Sequence, residues 1–222
     1  MNTIQVIGVW GSGKSTLIND LSGTKVNLLT YRSFDDKKIA KIFLASSVVF
    51  SSIELLLVFL IFLGCYFNTL RSGLPCSEYV SIFKACCRAT CISNIRSRRA
   101  VILEGELHLI TLLTWPEYIK PILHLYLSLK AKNTKLLIYV DIPIRSACRR
   151  VLSDHDAGRP RLHAVSKETL LTILQNTERN QLYIKGYFEI KSVNCMFISS
   201  LLPRTHTHKT FFKNIFPMVS PC

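Results

Sequence analysis

The sequence predicts an α/β domain built on a parallel sheet, and three observations predict it. A β-branched run, T-I-Q-V-I at Thr3–Ile7, leads directly into a glycine-rich loop and a helix-compatible segment. Four further short apolar runs follow along the chain, the form taken by parallel strands covered on both faces. Helical stretches separate these runs, and strands that alternate with helices close into a parallel sheet through right-handed crossovers.

Composition bounds the reading. A chain of 222 residues that is 49% hydrophobic can build a substantial core, which excludes disorder. The length holds one domain of the usual ~100–200 residues and excludes two full enzymatic domains. Against 14 Asp plus Glu stand 28 Lys plus Arg, a net charge of +14. The excess calls for an anionic partner: nucleic acid, an anionic membrane surface or a phosphorylated small substrate. Between Glu78 and Glu104 every charge is positive (Lys84, Arg88, Arg96, Arg98, Arg99), as is every charge after Glu189. The N-terminus has no basic start, apolar run and small-residue cleavage site, so the eight cysteines are expected to be free thiols in a reducing, cytoplasmic setting. Cys86, Cys87 and Cys91 cluster without a C-x-x-C pair, and His206 and His208 stand apart from them, which gives zinc little support.

The elements follow in order. After the first strand, G-V-W-G-S-G-K-S-T at Gly8–Thr16 is a complete G-x-x-x-x-G-K-[ST] match. Such a loop wraps a phosphate chain with inward N–H groups at the positive end of the next helix, here K-S-T-L-I-N-D-L-S with Gly23 as its C-cap. Gly8, Gly11, Ser12, Gly13, Lys14, Ser15 and Thr16 are the expected nucleotide contacts. Lys14 reaches the terminal phosphates, and the Ser15 hydroxyl can ligate a magnesium ion. A second strand is expected at Lys25–Tyr31. Residues 42–70 then carry a single charge, Glu54, and are long enough to cross a bilayer. A single crossing would separate the later strands from the phosphate loop, so a helix or helical hairpin packed over the sheet edge or the acceptor site is expected. Helices are predicted at Glu78–Ser97, Pro116–Lys132, Ile144–Ser153 and Lys167–Ile184, the last capped by Ser166. The remaining strands are predicted at Arg99–Gly105, Lys135–Ile142 and Val193–Ser199. One domain spans 1–202, and residues 203–222 form a basic, aromatic extension.

Phosphoryl transfer needs magnesium coordination, charge neutralisation and an oriented acceptor. Glu104 ends the third strand, at the edge where open parallel sheets bind ligands, and can hold magnesium or accept a proton from an acceptor hydroxyl. Glu106 and His108 lie just beyond, equally consistent with helix-capping or surface roles. Asp141 ends the fourth strand and is the other magnesium candidate. Arg149 lies on the helix that follows, with Arg145 and Arg150 beside it. Arg159 and Arg161 belong to a polar Gly- and Pro-containing loop, about 154–165, that can close over phosphates as a lid.

With these residues the chain resembles the P-loop nucleoside and nucleotide kinases, most nearly the thymidylate-kinase-like branch. The resemblance rests on G-V-W-G-S-G-K-S-T, V-I-L-E-G, V-D-I-P with an arginine downstream, and the Arg-bearing lid. It implies a three-layer α/β/α P-loop domain with a five-stranded parallel sheet of order 2-3-1-4-5. It also implies ATP and Mg2+ as cofactors, and helices between the second and third strands that cover the acceptor. The chain departs from the branch after the third strand, where an Asp-Arg pair is replaced by Glu104 and Gly105. That loses an arginine contact to an acceptor phosphate and leaves the small-molecule acceptor open.

Among other P-loop classes, a GTPase would need N-K-x-D, which is absent, and an ABC-type ATPase needs a longer chain. The expected activity is ATP-dependent phosphorylation of a small molecule. Two readings from other classes stand beside it: a nucleotide-binding regulatory protein docked on anionic membrane, and a nucleic-acid-binding or end-phosphorylating protein using Lys84–Arg99 as a phosphate track. Nucleic acid has the weaker support because no recognised module accompanies the track. A homodimer is compatible with the kinase reading.

Overall fold

The computed structural model describes residues 3–14, 17, 52–93, 101–104, 106–156 and 166–199. Four parallel strands form one sheet: β1 (Thr3–Ile7), β2 (Val101–Glu104), β3 (Thr134–Asp141) and β4 (Asn194–Ser199), in the order β2-β1-β3-β4. The expected strand at 25–31 lies outside the described residues. The four described strands stand in the relative order expected of them.

Alternation along the central strands explains why both sheet faces are apolar. Ile4 and Val6 of β1 join Leu136, Ile138 and Val140 of β3 and Ile198 of β4 on one face, with Leu17 from the segment after the loop packed against them. Ile7, Leu137 and Tyr139 point to the opposite face, into a much larger helical core. Successive side chains of a strand face opposite ways, so a strand apolar at nearly every position needs a layer on each side.

That core is built by α1 (Ser52–Arg71), α2 (Cys76–Ser93), α3 (Glu106–Thr111), α4 (Lys120–Asn133), α5 (Ile144–Asp156) and α6 (Lys167–Ile190). A 3-10 turn at Glu117–Ile119 leads into α4 with Pro121 in its first turn, where a missing N–H costs nothing. Ser166 caps α6 as expected, its Oγ accepting from the Thr169 N–H at 3.2 Å. This helix runs to Ile190, beyond the predicted end at Ile184, because Ile184 and Phe188 remain on its buried stripe.

From Ser52 to Arg71 the apolar stretch is a single helix, α1, lying against α2 and α4. It is long and apolar enough to cross a membrane, but its inward face is tied to the domain. Glu54 pairs with Lys130 of α4, the Tyr79 hydroxyl donates to the Phe62 carbonyl, and the Tyr118 hydroxyl donates to Gly64 O at 2.7 Å. Residues 42–51 lie outside the described residues, as do the extension at 203–222 and most of the predicted lid.

Candidate nucleotide-binding site

The phosphate loop leaves the carboxyl end of β1, and its shape follows from its glycines. Gly11 has φ +78° and Gly13 φ +89°, conformations that residues with a Cβ rarely adopt. Gly8 has no room for a side chain: a Cβ there would lie 2.7 Å from both Ser12 Oγ and the Val140 carbonyl of β3. At Gly11 a Cβ would lie 2.7 Å from the Ala147 carbonyl of α5. The loop is therefore wedged between the end of β3 and the first turns of α5. A turn closes it, with Ser12 N donating to Val9 O at 3.1 Å, and the Leu17 N–H donates to Gly13 O at 3.0 Å.

Lys14 is 4% exposed. Its ammonium donates to Gly8 O at 2.6 Å, Val9 O at 2.9 Å and Ser12 Oγ at 3.4 Å, so the cation sits inside the curl of the loop. These carbonyls fix the position of the ammonium within the loop.

Strand register sets the two expected acidic positions at this edge of the sheet. Glu104 is level with Val6, two residues before the loop begins. Tyr139 is level with Ile7, so Asp141 extends two residues past β1 beside the Val140 carbonyl that packs on Gly8. Asp141 also acts on its surroundings. Burial and then its charge push the Tyr139 hydroxyl up to about 12, and burial and then Asp141 raise Glu178 of α6 above the usual carboxylate range. Glu178 thus stands near the same edge, a carboxylate that no sequence motif marks.

Of the predicted arginines, Arg149 is exposed on α5. Its neighbour Arg150 reaches the loop, Nη1 donating to Gly11 O at 3.2 Å. The signal for Arg150 was helical spacing, since it lies three residues past Ala147, the residue against which Gly11 packs. Ser15, Thr16, Arg159 and Arg161 lie outside the described residues.

Glu106 and His108 correct the sequence reading. Neither is a surface group: both are buried on α3, a helix the pattern did not predict. Glu106 accepts from Gln5 Nε2 at 3.0 Å and pairs with Lys130 at 3.0 Å, and Lys130 also pairs with Glu54. Burial alone would lower the lysine's pKa, but Glu106 and Glu54 outweigh it and hold the ammonium above its ordinary value. This network joins β1, α1, α3 and α4 beneath the site.

No protein-family profile matches the sequence, and no curated protein matches it. Solved structures do. Deoxyadenosine kinase from M. mycoides with bound dATP superposes with a TM-score of 0.54 at 13% identity, covering 96% of this chain and 98% of that one. The same enzyme with dCMP and dCDP bound gives a TM-score of 0.50 at 10% identity, covering 97% of this chain and 99% of that one. The fold is that of a P-loop nucleoside kinase. Within that fold the Gly8–Lys14 loop stands at the carboxyl edge of the sheet, where open α/β sheets bind ligands.

Proposed function

We propose that the chain is an ATP-dependent phosphotransferase of the nucleoside-kinase type. One observation carries the reading: a nucleoside-kinase fold in which Lys14 is held in a glycine-shaped loop, with Glu104 and Asp141 brought by strand register to the same edge. The loop fits a phosphate chain, because Gly8 and Gly11 are packed where no side chain could enter and Gly11 and Gly13 take left-handed backbone. Hard oxygen donors suit magnesium, and Ser15, Glu104 and Asp141 are the residues proposed to hold it; bound there it would offset charge on the terminal phosphates.

Lys14 binds the terminal phosphates and offsets charge that develops on the transferred group. Arg150 steadies the loop through Gly11 O, and Arg149, Arg159 and Arg161 are proposed to add positive charge from α5 and the lid. Glu104 orients the acceptor hydroxyl and takes its proton. A nucleoside is the preferred acceptor. Gly105 supplies no arginine for an acceptor phosphate, and the superposed enzymes carry deoxynucleotides. Residues 25–31 are proposed as the fifth strand, outside β2, giving the order 2-3-1-4-5.

The test is transfer of label from γ-labelled ATP to a panel of nucleosides, nucleoside monophosphates and small alcohols. Transfer to nucleosides is expected. Glu104→Gln should slow it about 10²–10³-fold while nucleotide binding persists. Retained ATP binding with no transfer to any acceptor would replace this reading with a regulatory nucleotide-binding protein.

A further inference from the structure

Between Ile4 and Ile7 the central strand β1 is apolar except at Gln5, which is 1% exposed. An aliphatic side chain would fill that position without desolvating an amide. The carboxylate that Gln5 meets is paired with a buried lysine, and such a pair is often no more stabilising than apolar residues of the same volume. What these polar groups supply beyond stability is a fixed position.

Glu106 is gripped from two directions. Its Oε1 accepts from Gln5 Nε2 at 3.0 Å and its Oε2 meets Lys130 Nζ at 3.0 Å, with the carboxylate fully buried. Glu106 is the first residue of α3 and Glu104 the last of β2, so one glycine, Gly105, separates the tethered carboxylate from the proposed base. The far end of α3 is tied as well: Asn180 Nδ2 of α6 donates to the Thr111 carbonyl at 3.0 Å and to the Leu113 carbonyl at 2.7 Å. A six-residue helix has too few turns to stand by itself, so these bonds set its direction.

Gln5 lies three positions before Gly8, on the strand that opens into the phosphate loop. Register puts Gln5 level with Leu103 and Val6 level with Glu104. One side chain and one hydrogen bond therefore refer the end of β2 to the strand that carries the loop. Lys130 attaches the same carboxylate to α4 and, through Glu54, to α1. The network thus has two arms, one to the loop strand and one to the helical packing.

We infer that Gln5 and Glu106 are positioning residues for phosphoryl transfer, holding the end of β2 so that Glu104 stands at the distance from the phosphate loop that proton removal from the acceptor needs. Resting on the kinase reading above, this gives the two residues no contact with substrate; they act through Glu104. Misplacing a reacting group by ~1 Å can slow a reaction about 10²-fold, which is the reason to lock such a group from behind.

Steady-state transfer from labelled ATP to the best acceptor of the panel, with urea unfolding in parallel, separates the two arms. Gln5→Leu keeps most of the side-chain volume and removes the amide; kcat should fall roughly 10–100-fold while the KM for ATP stays within about twofold. Introduced into Glu104→Gln, the same change should lower kcat no further, because no base remains to be misplaced, whereas a general structural fault would lower it again. Glu54→Gln breaks the arm to α1 and should lower the urea midpoint with kcat unchanged. If Gln5→Leu does not fold, Gln5→Asn, which keeps the amide and withdraws it by one methylene, is read in its place. An unchanged kcat in the folded Gln5 variant, losses that add in the double variant, or an equal fall in kcat for Glu54→Gln overturns the positioning role and leaves the kinase reading standing. Absence of transfer by the wild-type chain overturns both.

Discussion

Two lysines are buried among the described residues, and they are held in different ways. Lys14 lies in the phosphate loop and donates to the Gly8 and Val9 carbonyls. Lys130 lies among the helices and pairs with the carboxylates of Glu54 and Glu106. Carbonyl dipoles orient a cation within one loop, whereas carboxylates offset its charge and bind together the elements that carry them. The first arrangement is the one proposed to serve a ligand, and the second ties the fold together. The two sites should therefore separate function from stability when they are altered.

The largest effect expected is on the fold. Lys130→Met leaves two buried carboxylates without their shared cation and should cost about 3–5 kcal/mol in urea unfolding. Its pH dependence has a definite sign. The folded pKa lies above the ordinary 10.5, so the contribution of Lys130 is complete below that value and is lost as pH rises through the folded one. On this account the wild-type urea midpoint owes nothing to Lys130 titration between neutrality and about pH 10 and falls beyond it. A Lys130→Met protein as stable as wild type would end the contrast.

Lys14→Ala should do the reverse. Phosphoryl transfer is expected to fall about 10²–10³-fold, the scale of losing one charge-stabilising group, with a urea midpoint close to wild type. A large loss of stability here would make Lys14 a structural cation like Lys130. The smallest effect sharpens the comparison at the backbone: Gly11→Ala adds one methyl at φ +78° against the Ala147 carbonyl and should cost about 1–3 kcal/mol, with a parallel loss of ATP affinity in a thermal-shift titration.

These two sites also differ in how far they could be read from the chain. The loop is legible because its geometry is made by consecutive residues: glycines set the turns, and Lys14 follows at a fixed spacing. The four described strands were legible because both sheet faces are apolar, so each strand stands out as a run. Arg150 was harder to single out from Arg149, since which of two adjacent arginines meets Gly11 depends on how α5 rotates against the loop. The Lys130 network was invisible. Gln5 meets Glu106 across 101 positions and Lys130 meets Glu54 across 76, and charged residues ordinarily sit at the surface.

The sequence by itself determined the phosphate loop, the alternation of strands and helices, and a helix apolar enough to pack or span. Only the tertiary structure decided that Glu54 turns that helix inward and that Glu106 is a core residue. The physical reason is the range of the interactions: turn chemistry and side-chain alternation act between near neighbours, while desolvating a charge is tolerated only when distant elements deliver its partner.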